Sequence, residues 1–206
     1  MGEHYYTKQP SVSHEEKEIS AKIGNITLKL TTDRGVFSKD KLDEGSKILA
    51  ETFIDQVKED DFKLIELGSG YGPIALGIAK AYPNSHVTGV ELNERAFDLS
   101  LRNAKQNNIS NVTFICDDAT NFELSTAVQH VVTNPPIRAG KKVVHAFVDQ
   151  AYQLLEEKGA LWVVIQKKQG APSMRKHMEQ IFGNVERVNL QSGYWILKSI
   201  ANCKLK

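Results

Sequence analysis

The chain has 206 residues, 41% hydrophobic and 25% charged, with a formal net charge of +1. That is enough for one domain with a sizeable core, and the balance is that of a soluble globular protein. A near-neutral chain does not bind polyanions through its overall charge, so any nucleic-acid contact must come from a local patch.

The opening MGEHYYTKQPSVSHEEKEIS is polar. It has no apolar export core, and Tyr6 stands where a myristoylation signal after Gly2 would want Ser or Thr. The first twenty residues read as a loose arm. No apolar run reaches the ~20 residues of a membrane span. Cys116 and Cys203 are too few for a disulfide framework and suit a reducing compartment. The expectation is a cytoplasmic protein with no membrane partner.

KIGNITLKLTTDRGVF reads as a β-hairpin turning at Gly24-Asn25. LDEGSKILAETFIDQV reads as a helix with Ile48, Leu49, Thr52, Phe53 and Val57 on one face. From residue 62 strands and helices alternate. FKLIEL is a short buried strand, and GPIALGIAKAY a helix with Pro73 near its first turn. HVTGVEL is a second strand, followed by a helix over ERAFDLSLRNAKQNN with Asn93 as its N-cap. NVTFICDD and HVVTN are strands three and four. KKVVHAFVDQAYQLLEEKG is an amphipathic helix that Gly159 is expected to close. ALWVVIQ is a fifth strand, PSMRKHMEQIFG a further helix, and VERVNLQSGYWILKSIA an antiparallel pair broken at Ser192-Gly193. The pattern predicts an α/β fold, a mostly parallel sheet with helices on both faces. In such sheets ligands bind beyond the carboxyl ends of the strands, where strand order reverses.

Four strand ends carry unusual residues. In LIELGSGYGP, Gly68, Gly70 and Gly72 follow a strand and open a helix. Glycines there permit a tight turn and let a ligand approach the backbone; a close-packed strand-helix turn is the alternative. Glu91 ends the second strand and can accept both hydroxyls of a ribose. Asp117 and Asp118 follow the third strand. A carboxylate there can accept an adenine amine, or simply close an Asx turn.

The fourth is VVTNPPIRAGKK. Each proline fixes its own φ and holds the residue before it extended. Asn134 and Pro135 are therefore extended, with free carbonyls. The Asn134 side-chain oxygen and a backbone carbonyl can grip both hydrogens of one planar –NH2 group. That leaves the nitrogen lone pair pointing out of plane, toward an electrophilic carbon. A rigid loop is the alternative. Six histidines show no metal-ligand spacing, so no metal is expected.

Taken together, these motifs resemble those of class I S-adenosylmethionine-dependent methyltransferases over residues 62 to 201. ELGSGYGP is similar to the glycine motif, and NPPI to the Asn/Asp-Pro-Pro-aromatic tetrad of enzymes that methylate amino groups. TDRGVFSKDKLDEGSKILAE is similar to the G-V-F-S…D-x-G-[ST] segment of the small-subunit ribosomal RNA guanine-N2 methyltransferases, in a compact single-domain form. Ile137 departs from the usual aromatic, and the second domain copy of larger relatives has no room here. The resemblance implies a Rossmann-like seven-stranded sheet ending in an antiparallel hairpin. Residues 1–58 would form an arm, hairpin and helix packed on a cofactor-binding core of residues 59–206.

The resemblance also assigns roles. Glu66, Gly68, Gly70 and Gly72 would hold the methionine part of S-adenosylmethionine, Glu91 its ribose, and Asp118 with its neighbour Asp117 the adenine amine. Asn134 and Pro135 would orient the target amine, and Phe37 would help close the pocket beside Pro136 and Ile137. Arg138, Lys141, Lys142, Lys167 and Lys168 follow the fourth and fifth strands, with Arg175 and Lys176 expected in the next helix's first turn. On one rim they would contact phosphates of ribosomal RNA or a small-subunit particle; a solvated lysine face is the alternative. A target base would have to be unstacked to reach a deep pocket. Three other readings are a protein N5-glutamine methyltransferase, a nicotinamide oxidoreductase and a non-catalytic scaffold.

Overall fold

The protein, here a computed structural model, is described for residues 8 and 12–202, so the readings of Gly2, Tyr6 and Cys203 lie outside the described residues. Strands β1 (Lys17–Ile23) and β2 (Ile26–Thr32) pair antiparallel as a hairpin. Helix α1 (Glu44–Gln56) leads to the core: β3 (Lys63–Leu67), α2 (Pro73–Ala81), β4 (His86–Glu91), α3 (Glu94–Gln106) and β5 (Val112–Cys116). Next come β6 (Val128–Thr133), α4 (Lys141–Leu154), β7 (Leu155–Gln166), α5 (Ala171–Phe182), β8 (Glu186–Gln191) and β9 (Tyr194–Ile200). The seven-stranded sheet has the order β5-β4-β3-β6-β7-β9-β8, with β9 antiparallel to both β7 and β8. This is the Rossmann-like arrangement expected. Strand order reverses between β3 and β6, so a crevice opens where those two strands end.

Period-two alternation decides what each face covers. Leu64, Val132, Trp162, Val164 and Ile196 pack with α1, α2 and α3. Their neighbours Ile65, Leu67, Val131, Val163 and Ile165 pack with α4 and α5. Full burial of such side chains contributes about 1.5–3 kcal/mol each. The hairpin joins the first layer, burying Ala21, Ile23, Leu28 and Leu30. Gly77 of α2 leaves the room Ile23 occupies, since a Cβ there would lie 2.7 Å from Ile23 Cδ1.

Asn103 of α3 fastens β2 to the core. Its Oδ1 accepts from Thr31 N at 2.7 Å, and its Nδ2 donates to Thr31 O and Tyr71 O, both at 3.0 Å. Asn103 is fully buried, so Asn103→Ala would orphan three backbone groups. The expected loss is about 3 kcal/mol or more, read as a lower urea midpoint at unchanged slope. A loss under ~0.5 kcal/mol would show that water takes over these groups.

Three sequence expectations are corrected. The arm is not loose to residue 20: β1 starts at Lys17, which pairs with Thr32. Before it, Glu15 N donates to Asp33 Oδ1 and Arg95 donates to Val12 O. The polar stretch Lys17–Ser20 hid this strand, because its register is set by the better-patterned β2. Helix α4 ends at Leu154 and not at Gly159. Leu155 is already extended (φ −74°, ψ 141°) and pairs with Val128. Gly159 lies in a strand instead, where a Cβ would come within 3.1 Å of Gln129 O. Last, α5 begins at Ala171, so Arg175 and Lys176 fall in its second turn and face little of the helix dipole.

Candidate functional site

Each strand that ends at the crevice hands over to a loop whose geometry follows from its residues. After β3 the chain turns at Gly68, Gly70 and Gly72, all at positive φ (75°, 56° and 96°), where side chains with a Cβ are strained. Gly72 caps α2, with Pro73 opening the helix. At the end of β4 the Glu91 side chain reaches back to Gly70 N, and Asn93 caps α3 by accepting from Ala96 N at 3.1 Å. After β6, Thr133 Oγ1 donates to Leu67 O at 2.8 Å, fixing where Asn134 begins. Asp43 caps α1 by accepting from Ser46 N at 2.8 Å.

These loops enclose one cavity of about 530 Å³. It holds Phe37, Glu66, Gly68 and Gly70 from one side. Glu91, Asp118, Asn134, Pro135, Pro136 and Lys142 complete the sequence-predicted residues that line it. Others lie away from it. Gly72 faces α3, where a Cβ would meet Phe114 at 3.0 Å and Ser100 at 3.4 Å; it serves packing. Asp117 hydrogen-bonds Asp118 N. Ile137 packs on the α4 side of the core, so this position presents no ring to the cavity. Arg138, Lys141, Lys167 and Lys168 are exposed and outside the lining, although Lys142 belongs to it. Among the described residues no histidine lines the cavity.

The carboxylates are held by backbone donors. Glu91 Oε2 accepts from Gly70 N at 2.7 Å and Oε1 from Asn93 N at 2.8 Å. Asp118 Oδ1 accepts from Thr120 N (2.8 Å) and Thr120 Oγ1 (2.7 Å). This is the Asx turn, and it leaves Oδ2 without a protein partner among the described residues. Glu66 Oε2 accepts from Ala75 N at 2.8 Å. Asn134 is the most constrained: its Nδ2 donates to Asp43 Oδ2 and to Ser46 Oγ, both at 2.9 Å. With both donor hydrogens taken, the Oδ1 acceptor is turned the other way.

A family model, the methyltransferase small domain, matches residues 27–198. The chain belongs to that family. It is an S-adenosylmethionine-dependent methyltransferase. This methyltransferase is 41% identical to the uncharacterized protein YbxB of Bacillus subtilis, over 97% of its own length and 98% of that protein. It is 30% identical to ribosomal RNA small subunit methyltransferase C of Hahella chejuensis, over 67% of this chain and 40% of that one. Its fold matches the Thermus thermophilus 16S rRNA N2 G1207 methyltransferase solved with AdoMet and guanosine. That match has a TM-score of 0.81 at 23% identity, over 94% of this chain and 52% of the other. The chain thus spans about half the length of the ribosomal RNA methyltransferases it matches.

The cavity of this methyltransferase fits its cofactor chemically. Ser69 Oγ is buried with no hydrogen-bond partner among the described residues, and Ser69 lines the cavity. A Cβ on Gly70 would meet nothing within 4 Å, so ligand atoms can reach the loop backbone. Residues that the sequence reading missed are Ser69, Tyr71, Phe147, and above all Asp43 and Ser46. The D-x-G-S run ahead of the first core strand was the signal for the last two.

Burial raises the Glu66 carboxyl well above its ordinary 4.5; the Ala75 hydrogen bond opposes this and the charge of Glu91 adds to it. Folding therefore favours the protonated acid. That contribution is fully present below pH 4.5 and is lost as pH rises through the folded-state value. Glu66→Gln keeps the Ala75 acceptor and cannot ionise. Its melting temperature without cofactor should exceed that of wild type increasingly from pH 5 to pH 8, by ~2–4 °C per kcal/mol recovered. A pH-independent difference would contradict this.

Proposed function

We propose that this protein transfers a methyl group to an exocyclic amine of a nucleic acid base, guanine N2 of ribosomal RNA, in the cytoplasm. The reading is carried by Asn134: Asp43 and Ser46 occupy both of its amide hydrogens, which leaves Oδ1 to accept, and with the Pro135 carbonyl it would make an acceptor pair for one –NH2 group. When bound, S-adenosylmethionine supplies an electrophilic methyl on a sulfonium. Gly68, Gly70, Ser69 and Glu66 hold its amino acid part, Glu91 accepts the two ribose hydroxyls, and Asp118 accepts the adenine amine. The chain's contribution to rate is position. Near-attack geometry is worth ~7–11 kcal/mol of barrier, and the alkylated nitrogen is acidic enough to release its proton to water.

Phe37 and Pro136 flank the entering base. Arg138, Lys141, Lys142, Lys167 and Lys168 contact phosphates around the mouth, because the loops after β6 and β7 lie at the same sheet edge as the cavity. The relatives named as ribosomal RNA methyltransferases support an RNA partner. Incubation with labelled S-adenosylmethionine and, separately, small-subunit particles, naked ribosomal RNA and glutamine-containing peptides tests this. Label is expected in RNA, as N2-methylguanine after nuclease digestion. Label confined to peptide would replace this reading with glutamine methylation.

A further inference from the structure

Asp43 does more at the cavity than cap a helix. Its Oδ2 takes both Ser46 N (2.8 Å) and Asn134 Nδ2 (2.9 Å). Its Oδ1 has no partner among the described residues, and Asp43 lines the cavity. The first turn of α1 is closely packed: a Cβ on Gly45 would lie 2.9 Å from the Tyr194 ring and 3.1 Å from Asp43 Oδ2. Asp43, Asn134 and Pro135 all line the cavity, so acceptor oxygens from all three residues are at hand there.

Resting on the amine-methylation reading above, we infer that Asp43 selects guanine by accepting its N1–H next to the target amine. Chemistry favours this base over the others. In guanine the 2-amino group neighbours N1–H, giving three donor hydrogens in line. In adenine and cytosine the amino group neighbours a ring nitrogen with a lone pair, and in a carboxamide it neighbours a carbonyl oxygen. Each of those would set a lone pair against the carboxylate. A site whose polar group is left unpaired by the wrong substrate rejects it strongly. Ser46, by contrast, uses its hydroxyl to hold Asn134 Nδ2 and acts as a positioning residue.

The test uses a single-stranded RNA oligonucleotide with one guanosine, and the same oligonucleotide with 2-aminopurine there. The analogue keeps the 2-amino group but has a lone pair at N1. Wild-type enzyme should methylate guanosine at least ~100-fold more efficiently than the analogue. Asp43→Asn can still cap α1. Its Oδ1 takes over the contacts to Ser46 N and Asn134 Nδ2, while its –NH2 now faces N1. This variant should lose ~100-fold on guanosine and gain on 2-aminopurine, inverting the preference. Ser46→Ala should lower kcat on both by a similar factor, leaving the ratio unchanged. If Asp43→Asn lowers both alike while melting as wild type does, Asp43 only orients Asn134 and the inference falls. If wild-type enzyme methylates neither oligonucleotide but does methylate a glutamine peptide, the amine-of-guanine reading itself falls.

Discussion

Asn134→Ala is expected to lower turnover by roughly 10²–10³-fold, the range seen when one positioned hydrogen-bonding group is removed from a reacting centre. Affinity for S-adenosylmethionine should stay within about threefold, because the cofactor's proposed contacts lie on β3, β4 and β5. The structure suggests a sharper variant. Asn134→Asp would set a carboxylate against Asp43 Oδ2, now 2.9 Å from the amide nitrogen, and two carboxylates cannot both ionise comfortably at that range. It should be at least as damaging as alanine despite its near-identical shape. Single-turnover rates with labelled cofactor, paired with calorimetric titration, separate the two quantities. Loss of cofactor binding in Asn134→Ala would sink the assignment.

The second large effect is on cofactor affinity. Glu91 is 9% exposed and holds Gly70 N and Asn93 N on its two oxygens. Removing it takes away the proposed ribose acceptors and also frees the glycine turn and the start of α3. Hydrogen bonds to charged groups contribute about 1.5–3 kcal/mol each, so Glu91→Ala should weaken S-adenosylmethionine binding by ~100-fold or more. Turnover at saturating cofactor should largely recover. Burial raises the Glu91 carboxyl, against the lowering by its backbone donors. A protonated Glu91 accepts less well, so wild-type affinity should decline on acidification, beginning at higher pH than an ordinary glutamate would give. Glu91→Gln should abolish that pH dependence. An unchanged dissociation constant in Glu91→Ala would remove Glu91 from the binding site.

How much of this was legible beforehand follows from the range over which each signal acts. Alternation of apolar residues is local, and it specified the core strands, their helices and the sheet that must bury them. Glycines at positive φ and the Asn-Pro-Pro run are local backbone constraints, so Gly68, Gly70, Asn134 and Pro135 could be read from spacing alone. Glu91 and Asp118 followed because strand ends of a parallel sheet converge on one edge. Lys17–Ser20 was missed as strand because its side chains carry little apolar pattern; the partner β2 supplies the register. The end of α4 was misplaced because Glu156, Glu157 and Lys158 suit a helix as well as they suit solvent. Leu155 is drawn away by pairing with Val128.

The amino-acid sequence by itself determined the α/β class, the glycine turn, the acid after β4 and the proline-locked loop, since each depends on neighbours a few residues away. Only the tertiary structure decided which way the Asn134 amide points. Asp43 and Asn134 are 91 residues apart, and no local preference links them. They meet because α1 packs across the sheet with its capped end at the switch point. The same packing set Gly72 against α3 and turned Ile137 toward α4, outcomes that depend on how layers stack rather than on what any one segment prefers.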